Sequence, residues 1–149
     1  MNEELVAPCG MNCGVCTNYL ALQYDLKKKG FHRSYCPGCR PRGKNCTYMD
    51  NHCHLLGKGL ISFCYQCNDF PCRKLAYLDK RYRTFYHMSN IENLEFIKIN
   101  GMESFLKKEA QKWKCPQCGG AISCHNGICF NCNPQDLRNR TIISRWRGK

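Results

Sequence analysis

What this chain can fold into is limited first by its cysteines, 15 among 149 residues, many of them in CxxC pairs. Leu, Ile, Val and Phe together account for only 29 of the 149. That is just under the ~20% at which a strongly charged chain begins to read as disordered. An aliphatic core alone is too thin, so bonds made by sulfur must replace the missing apolar burial. Disulfides are the weaker choice. The opening MNEELVAPCG carries acidic residues where a secretory signal needs basic ones, and it lacks an apolar stretch of ~7 residues. The odd cysteine count and the CxxC pairs suit metal thiolates in a reducing compartment. The expectation is a cytoplasmic metal-binding protein without a membrane span, since no long apolar run occurs.

Metal also changes the charge. The formal net charge of +12 counts every thiol as neutral. Three four-thiolate zinc sites would remove twelve charges as thiolates and return six from the ions, leaving about +6. The chain is basic, but charge alone argues for nucleic acid with half its apparent force.

Ten cysteines lie between Cys9 and Cys72, five between Cys115 and Cys132, and none from 73 to 114. The middle must fold by ordinary means, and it reads as helical. Asn68 or Asp69 can cap a helix with Pro71 in its first turn and Leu75, Leu78 and Tyr82 at helical spacing. Ser89 and Glu92 form a capping box ahead of Leu94, Phe96 and Ile97, with a stop at Asn100-Gly101. A third helix over 102–114 places Met102, Phe105, Leu106, Ala110 and Trp113 along one side as core. An earlier helix follows Cys16 through Tyr19, Leu20, Leu22 and Leu26 and ends at Lys27-Lys28-Lys29-Gly30, where a basic last turn suits the helix dipole. The expected fold class is α+β, small and metal-stapled. It comprises a mostly helical cysteine-rich unit (1–88), a helical connector (89–112), a short C-terminal β zinc ribbon (113–133) and a basic tail (134–149).

The ribbon carries the strongest local motif. Cys115-Pro-Gln-Cys118-Gly-Gly is followed, with ten residues between Cys118 and Cys129, by Cys129-Phe-Asn-Cys132. A CxxC turn sets two sulfurs within reach of one ion while backbone N–H groups bond the thiolates, and two such turns complete a tetrahedron with Zn–S near ~2.3 Å. Such a closed site scaffolds rather than catalyses. Cys124 and His125, between the pairs, read as a loop thiol and a surface histidine.

The N-terminal group is denser: Cys9, Cys13 and Cys16 as CxxxCxxC, Cys36 and Cys39 in CPGC, then Cys46 and Cys53, then Cys64, Cys67 and Cys72. The tidiest division gives Cys36, Cys39, Cys46 and Cys53 to one zinc and draws a second site from the other six. Spacing equally allows the pair 36/39 to meet the pair 64/67. Two or three zinc ions are expected in all, with an iron–sulfur cluster in this group as the alternative, because thiolates do not distinguish the metals. CxxxCxxC is also the spacing of radical S-adenosylmethionine enzymes, but 149 residues fall short of the ~200 or more of a full barrel. His32, His52 and His54 read as surface or supporting residues.

Ala7-Pro8-Cys9-Gly10 with Cys13 and Cys16, Cys36-Pro37-Gly38-Cys39, Cys64 and Cys67 with Phe70-Pro71-Cys72, Asn93-Leu94 before Asn100-Gly101, and Trp113-Lys114-Cys115 with Cys118-Gly119-Gly120 form one spaced pattern. From residue 5 to about 132 the chain resembles a prokaryotic cysteine-rich family catalogued as a domain of unknown function. The resemblance implies a cytoplasmic metal-binding protein whose cysteine-rich unit is often followed by a ribbon, and it implies no established reaction.

Three roles fit these residues. The first is a zinc-scaffolded binding module for nucleic acid or protein. It would use Lys80, Arg81 and Arg83, and the tail residues Arg138, Arg140, Arg145, Trp146 and Arg147, since basic groups interleaved with an aromatic can pair phosphates and stack a base. The second is an iron–sulfur or reactive-thiol redox protein, with Cys9 or Cys72 as the spare thiol. The third is metal storage or delivery. No base and orienting carboxylate can be picked out beside a cysteine, so the residues favour binding over catalysis.

Overall fold

The chain begins by doubling back on itself. After a 3-10 turn at Glu3–Leu5, Val6 forms an isolated antiparallel bridge with Asn12, and the Ala7 N–H donates to the Met11 carbonyl at 2.8 Å. Gly10 makes the reversal with φ 83°, and a Cβ there would collide with the Asn90 carbonyl and Leu94. Only glycine lets the two segments approach so closely. The computed structural model describes residues 1–43, 49 and 53–148. Cys46 and His52 lie outside these.

Six α-helices occur among the described residues: α1 (Thr17–Gln23), α2 (His54–Gly57), α3 (Arg73–Phe85), α4 (Asn90–Asn100), α5 (Met102–Lys112) and α6 (Arg140–Trp146). None is long and apolar enough to cross a membrane. α4 begins where its cap predicts, with Ser89 Oγ accepting the Glu92 N–H at 3.0 Å, and ends at Gly101 with φ 83°. α3 starts at Arg73, later than a cap at Asn68 or Asp69 would place it, because the Asp69 N–H is committed to the Cys67 sulfur and Cys72 takes the cap position. α1 ends at Gln23, short of the lysine run. Asp25 turns left-handed at φ 47°, and Leu26, fully buried, is tied back by its N–H to the Ala21 carbonyl at 3.0 Å. Lys27, Lys28 and Lys29 therefore lie in the turn beyond the helix rather than in its last turn.

α4 packs against both α3 and α5. Asp79, 2% exposed on α3, secures the first contact by accepting from Ser89 Oγ (2.7 Å), the Ile91 N–H (3.0 Å) and Arg83 Nε (2.7 Å). Asn93 seats α4 on the N-terminal reversal by donating to the Gly10 carbonyl at 3.0 Å. One apolar cluster joins Leu5, Val15, Leu75, Leu94 and Trp113, and a second joins Leu20 and Leu26 to Ile128, Phe130 and Leu137. Burying side chains of this size contributes about 1.5–3 kcal/mol each.

The β content is smaller than expected. Among the described residues it consists of two isolated bridges, and the segment over 113–133 holds one, Lys114 with Ala121, between the bonds Cys115 N–H to Gly120 O (2.7 Å) and Ile122 N–H to Trp113 O (2.8 Å). Two CxxC turns and a reversal at Ser123–Ile128 leave no extended run long enough for strands.

The inward stripe of α5 also differs. Ala110 is exposed, and the residue that turns inward between Phe105 and Trp113 is Glu109, 1% exposed. Its Oε2 accepts from Asn12 Nδ2 at 3.0 Å and from Trp113 Nε1 at 3.1 Å. Removing a buried acceptor leaves both donors desolvated and unpaired, so Glu109→Ala should destabilise the metal-loaded protein by about 2–4 kcal/mol. Glu109→Gln should cost clearly less. Urea midpoints of the two variants test this, and equal losses would show that the hydrogen bonds contribute nothing beyond volume.

Candidate metal centre

Trp113, closing α5, delivers the chain into the first ribbon turn, where the Gly119 N–H bonds the Cys115 carbonyl at 2.9 Å. The second turn repeats this, with the Asn133 N–H on the Cys129 carbonyl at 2.9 Å. Together they bring the sulfurs of Cys115, Cys118, Cys129 and Cys132 within 4.8 Å of one another, a group that could hold a metal ion. Cys115 and Cys132 sulfurs are 3.9 Å apart, and those of Cys118 and Cys129 3.6 Å. A tetrahedron with ~2.3 Å metal–sulfur bonds has edges of about 3.8 Å, which these two pairs match.

The surroundings favour thiolate. The Gly120 N–H points at the Cys118 sulfur at 3.4 Å. Hydrogen bonds from the Asn131 side chain, this N–H and Cys132 bring the Cys118 thiol down to about 6. Backbone N–H groups of Cys118 and Gln117 lower Cys115 as well. Burial raises Cys129, while hydrogen bonding with Cys118, followed by burial, pushes Cys132 up to about 12. Four sulfurs without a cation cannot all ionise together, and a divalent ion removes that conflict.

The N-terminal cysteines fall into two groups that spacing does not single out. Cys16 follows a 3-10 turn, Cys13–Val15, and its N–H bonds the Cys13 carbonyl at 2.9 Å. The Cys36 N–H reaches the Asn18 carbonyl at 3.2 Å and so brings CPGC against this turn. There the Cys13 thiol is raised by a hydrogen bond with Cys39 and by burial. Cys16 is raised by burial while accepting the Asn18 and Tyr19 N–H groups, with Cys36 and Cys39 beside it. Cys53, Cys64, Cys67 and Cys72 instead line a separate cavity. Cys36 and Cys39 thus meet Cys13 and Cys16. Cys9 is buried, 3.8 Å from Asn90 Nδ2. His32 and His54 are exposed. No disulfide joins the described cysteines.

Cys124 and His125 are less bland than a loop thiol and a surface histidine. Cys124 is fully buried, 3.4 Å from His125 Nδ1, and burial raises its thiol well above the ordinary range. Burial, then Arg147 and Arg81, hold the imidazole at about 4. At pH 7 the pair is therefore thiol and neutral ring, without the thiolate a nucleophile needs.

Of the basic candidates, Lys80, Arg140 and Arg145 are exposed. Arg83 is tied to Asp79, and Arg138 lies over Phe31 at 4.8 Å. Arg147 donates to the His125 carbonyl at 3.3 Å and shares with Arg33 a cavity of about 370 Å³. Trp146 is occupied structurally. Its Nε1 donates to the Cys124 carbonyl at 2.9 Å, and its ring lies where a Cβ at Gly127 would be. Asn12 and Glu109, which orient the thiol-bearing turns, carry no metal-ligand or basic motif in the sequence. The signal for Glu109 was the i, i+4 register linking 105, 109 and 113.

Comparison with known proteins places the first half of the chain. Residues 5–77 match the family described as protein of unknown function (DUF3795). The matched segment is just under half of the chain. It contains all ten N-terminal cysteines and stops before the ribbon. No curated protein and no solved structure gives a significant match.

In metal-free protein at pH 7, iodoacetamide should label Cys118 before Cys132, because a thiol at about 6 is mostly thiolate and one near 12 is not. Added zinc should suppress labelling at both. Peptide mass spectrometry reads the order, and indifference to zinc would count against the site.

Proposed function

We propose that the chain is a zinc-stapled binding module whose partner is single-stranded nucleic acid. The zinc part is supported by the donor set, four sulfurs at tetrahedral spacing with no open ligand position. The partner part is carried by one observation: Arg81 of α3 hydrogen-bonds Tyr86, and Arg147, just after α6, lies over the same ring at 5.7 Å. Basic residues from distant parts of the chain thus share one face.

The adjoining surface of α3 adds what a nucleic-acid strand needs. Tyr77, 69% exposed, lies with Lys80, Arg81 and Thr84 along a shallow groove of about 410 Å³. Positions 77, 80, 81 and 84 share a helical face. An exposed ring among cations supports stacking and phosphate contact together. Tyr77 takes the stacking role expected of Trp146, whose ring is packed inside.

Fluorescence anisotropy with a labelled mixed-sequence single-stranded RNA tests the reading. Binding should weaken with salt, and the double variant Arg81→Ala/Arg147→Ala should flatten the log–log salt slope by roughly 0.7 per lost contact. Tyr77→Ala should weaken binding without changing that slope. No binding at low salt, or a double variant equal to wild type, would remove nucleic acid as the partner.

A further inference from the structure

We propose that Cys53, Cys64, Cys67 and Cys72 form a second, mononuclear zinc site, closing the cavity they line. The inference extends the zinc-stapled reading into the family segment but does not depend on the ribbon ion. Its first support is the chemistry of the wall. The cavity holds about 30 Å³, and the heteroatoms its side chains offer are the four cysteine sulfurs and the thioether of Met49, set among hydrocarbon from Phe70 and Leu75. Water needs two to four polar partners, which such a wall supplies poorly, whereas thiolate sulfur is a preferred donor for zinc.

The second support is local geometry. The Cys67 N–H bonds the Cys64 carbonyl at 3.1 Å, and the Asp69 N–H points at the Cys67 sulfur at 3.4 Å. In the ribbon, the Gly120 N–H stands at the same 3.4 Å from the Cys118 sulfur, likewise two residues after the second cysteine of a CxxC turn. The other two ligands enter from helix starts, Cys53 as the residue before α2 and Cys72 as the residue before α3. Gln66 braces the turn, its Oε1 accepting the Ser62 and Phe63 N–H groups at 2.7 and 3.0 Å.

Accounting for the other thiols points the same way. Cys13, Cys16, Cys36 and Cys39 are gathered among themselves, apart from the four that line this cavity. Cavity size favours a single ion over a cluster. About 30 Å³ accommodates one or two water-sized bodies, enough for a single ion. A cluster of four irons and four sulfides needs several times that room. The ribbon sulfurs already stand at ligand spacing, whereas these four surround a void. On loading, each thiol gives up its proton and four thiolates close around one Zn²⁺, leaving a net charge of −2.

The full-length chain, purified anaerobically and loaded with zinc, tests this by elemental analysis together with mass-spectrometric alkylation mapping. Cys67→Ser and Cys72→Ser should each lose one zinc per chain, while Cys46→Ser and Cys9→Ser lose none. In the wild type, Cys53, Cys64, Cys67 and Cys72 should be protected as a set and become reactive together on stepwise chelation, a readout that needs no variant to fold. Loss of an ion in Cys46→Ser, retention in Cys67→Ser, or iron with acid-labile sulfide in place of zinc would overturn the assignment. Cys118→Ser separates the two readings. If it alone removes all zinc, the ribbon stands and this inference fails; if it removes none while Cys67→Ser removes one, the reverse holds.

Discussion

The arrangement depends on one buried carboxylate. Glu109 accepts from Asn12 at 3.0 Å and from Trp113 at 3.1 Å, and Asn12 in turn accepts the Gly14 N–H at 2.9 Å through its own Oδ1. Asn12 immediately precedes the Cys13–Val15 turn, and Trp113 immediately precedes the ribbon. Two thiol-bearing turns at opposite ends of the chain are thus oriented by the same oxygen. In a low-dielectric interior such a charge-assisted network is strong when complete and costly when broken. Metal can hold each turn together locally, but it cannot relate one turn to the other. The hydrogen-bonded carboxylate does that, and an aliphatic core of this size could not do it alone.

The thiol turns share a local rule. An N–H two residues beyond the second cysteine points at its sulfur at Cys67 and at Cys118, and the Asn18 N–H does the same for Cys16. Each turn presents two thiols, and tertiary packing selects the thiols they meet. The turn at 13–16 receives CPGC because the Cys36 N–H bonds the Asn18 carbonyl, while the turn at 64–67 is joined by two residues at helix starts.

That division explains what was legible in the sequence. Ser89, Glu92 and Gly101 predict α4 because caps are local hydrogen bonds between near neighbours. The grouping of Cys115, Cys118, Cys129 and Cys132 was legible for the same reason, both pairs lying within one short segment. The partners of the N-terminal turns were not, since CxxC spacing is the same whichever other thiols complete the site. Glu109 was misread as Ala110 because polarity outweighed register, although residues 105, 109 and 113 are successive i+4 positions. The lysine run looked like a helical last turn, but burying Leu26 required a left-handed Asp25 that ended the helix sooner.

Charge then narrows where a phosphate polymer would sit. Cys16 borders the cavity shared by Arg33 and Arg147. Four thiolates closed around a divalent ion there would carry a net −2 and offset those arginines at close range. The groove along α3 has no cysteine in its lining, only Tyr77, Lys80, Arg81, Thr84 and Phe85. At physiological ionic strength fields decay over ~8 Å, so each surface responds mainly to its own neighbours. The formal charge of +12 therefore overstates the cavity at Arg147 more than the α3 face. On the proposed reading, phosphate contact falls chiefly to Lys80 and Arg81, beside the exposed ring of Tyr77, and Arg147, which donates to the His125 carbonyl, adds a smaller share.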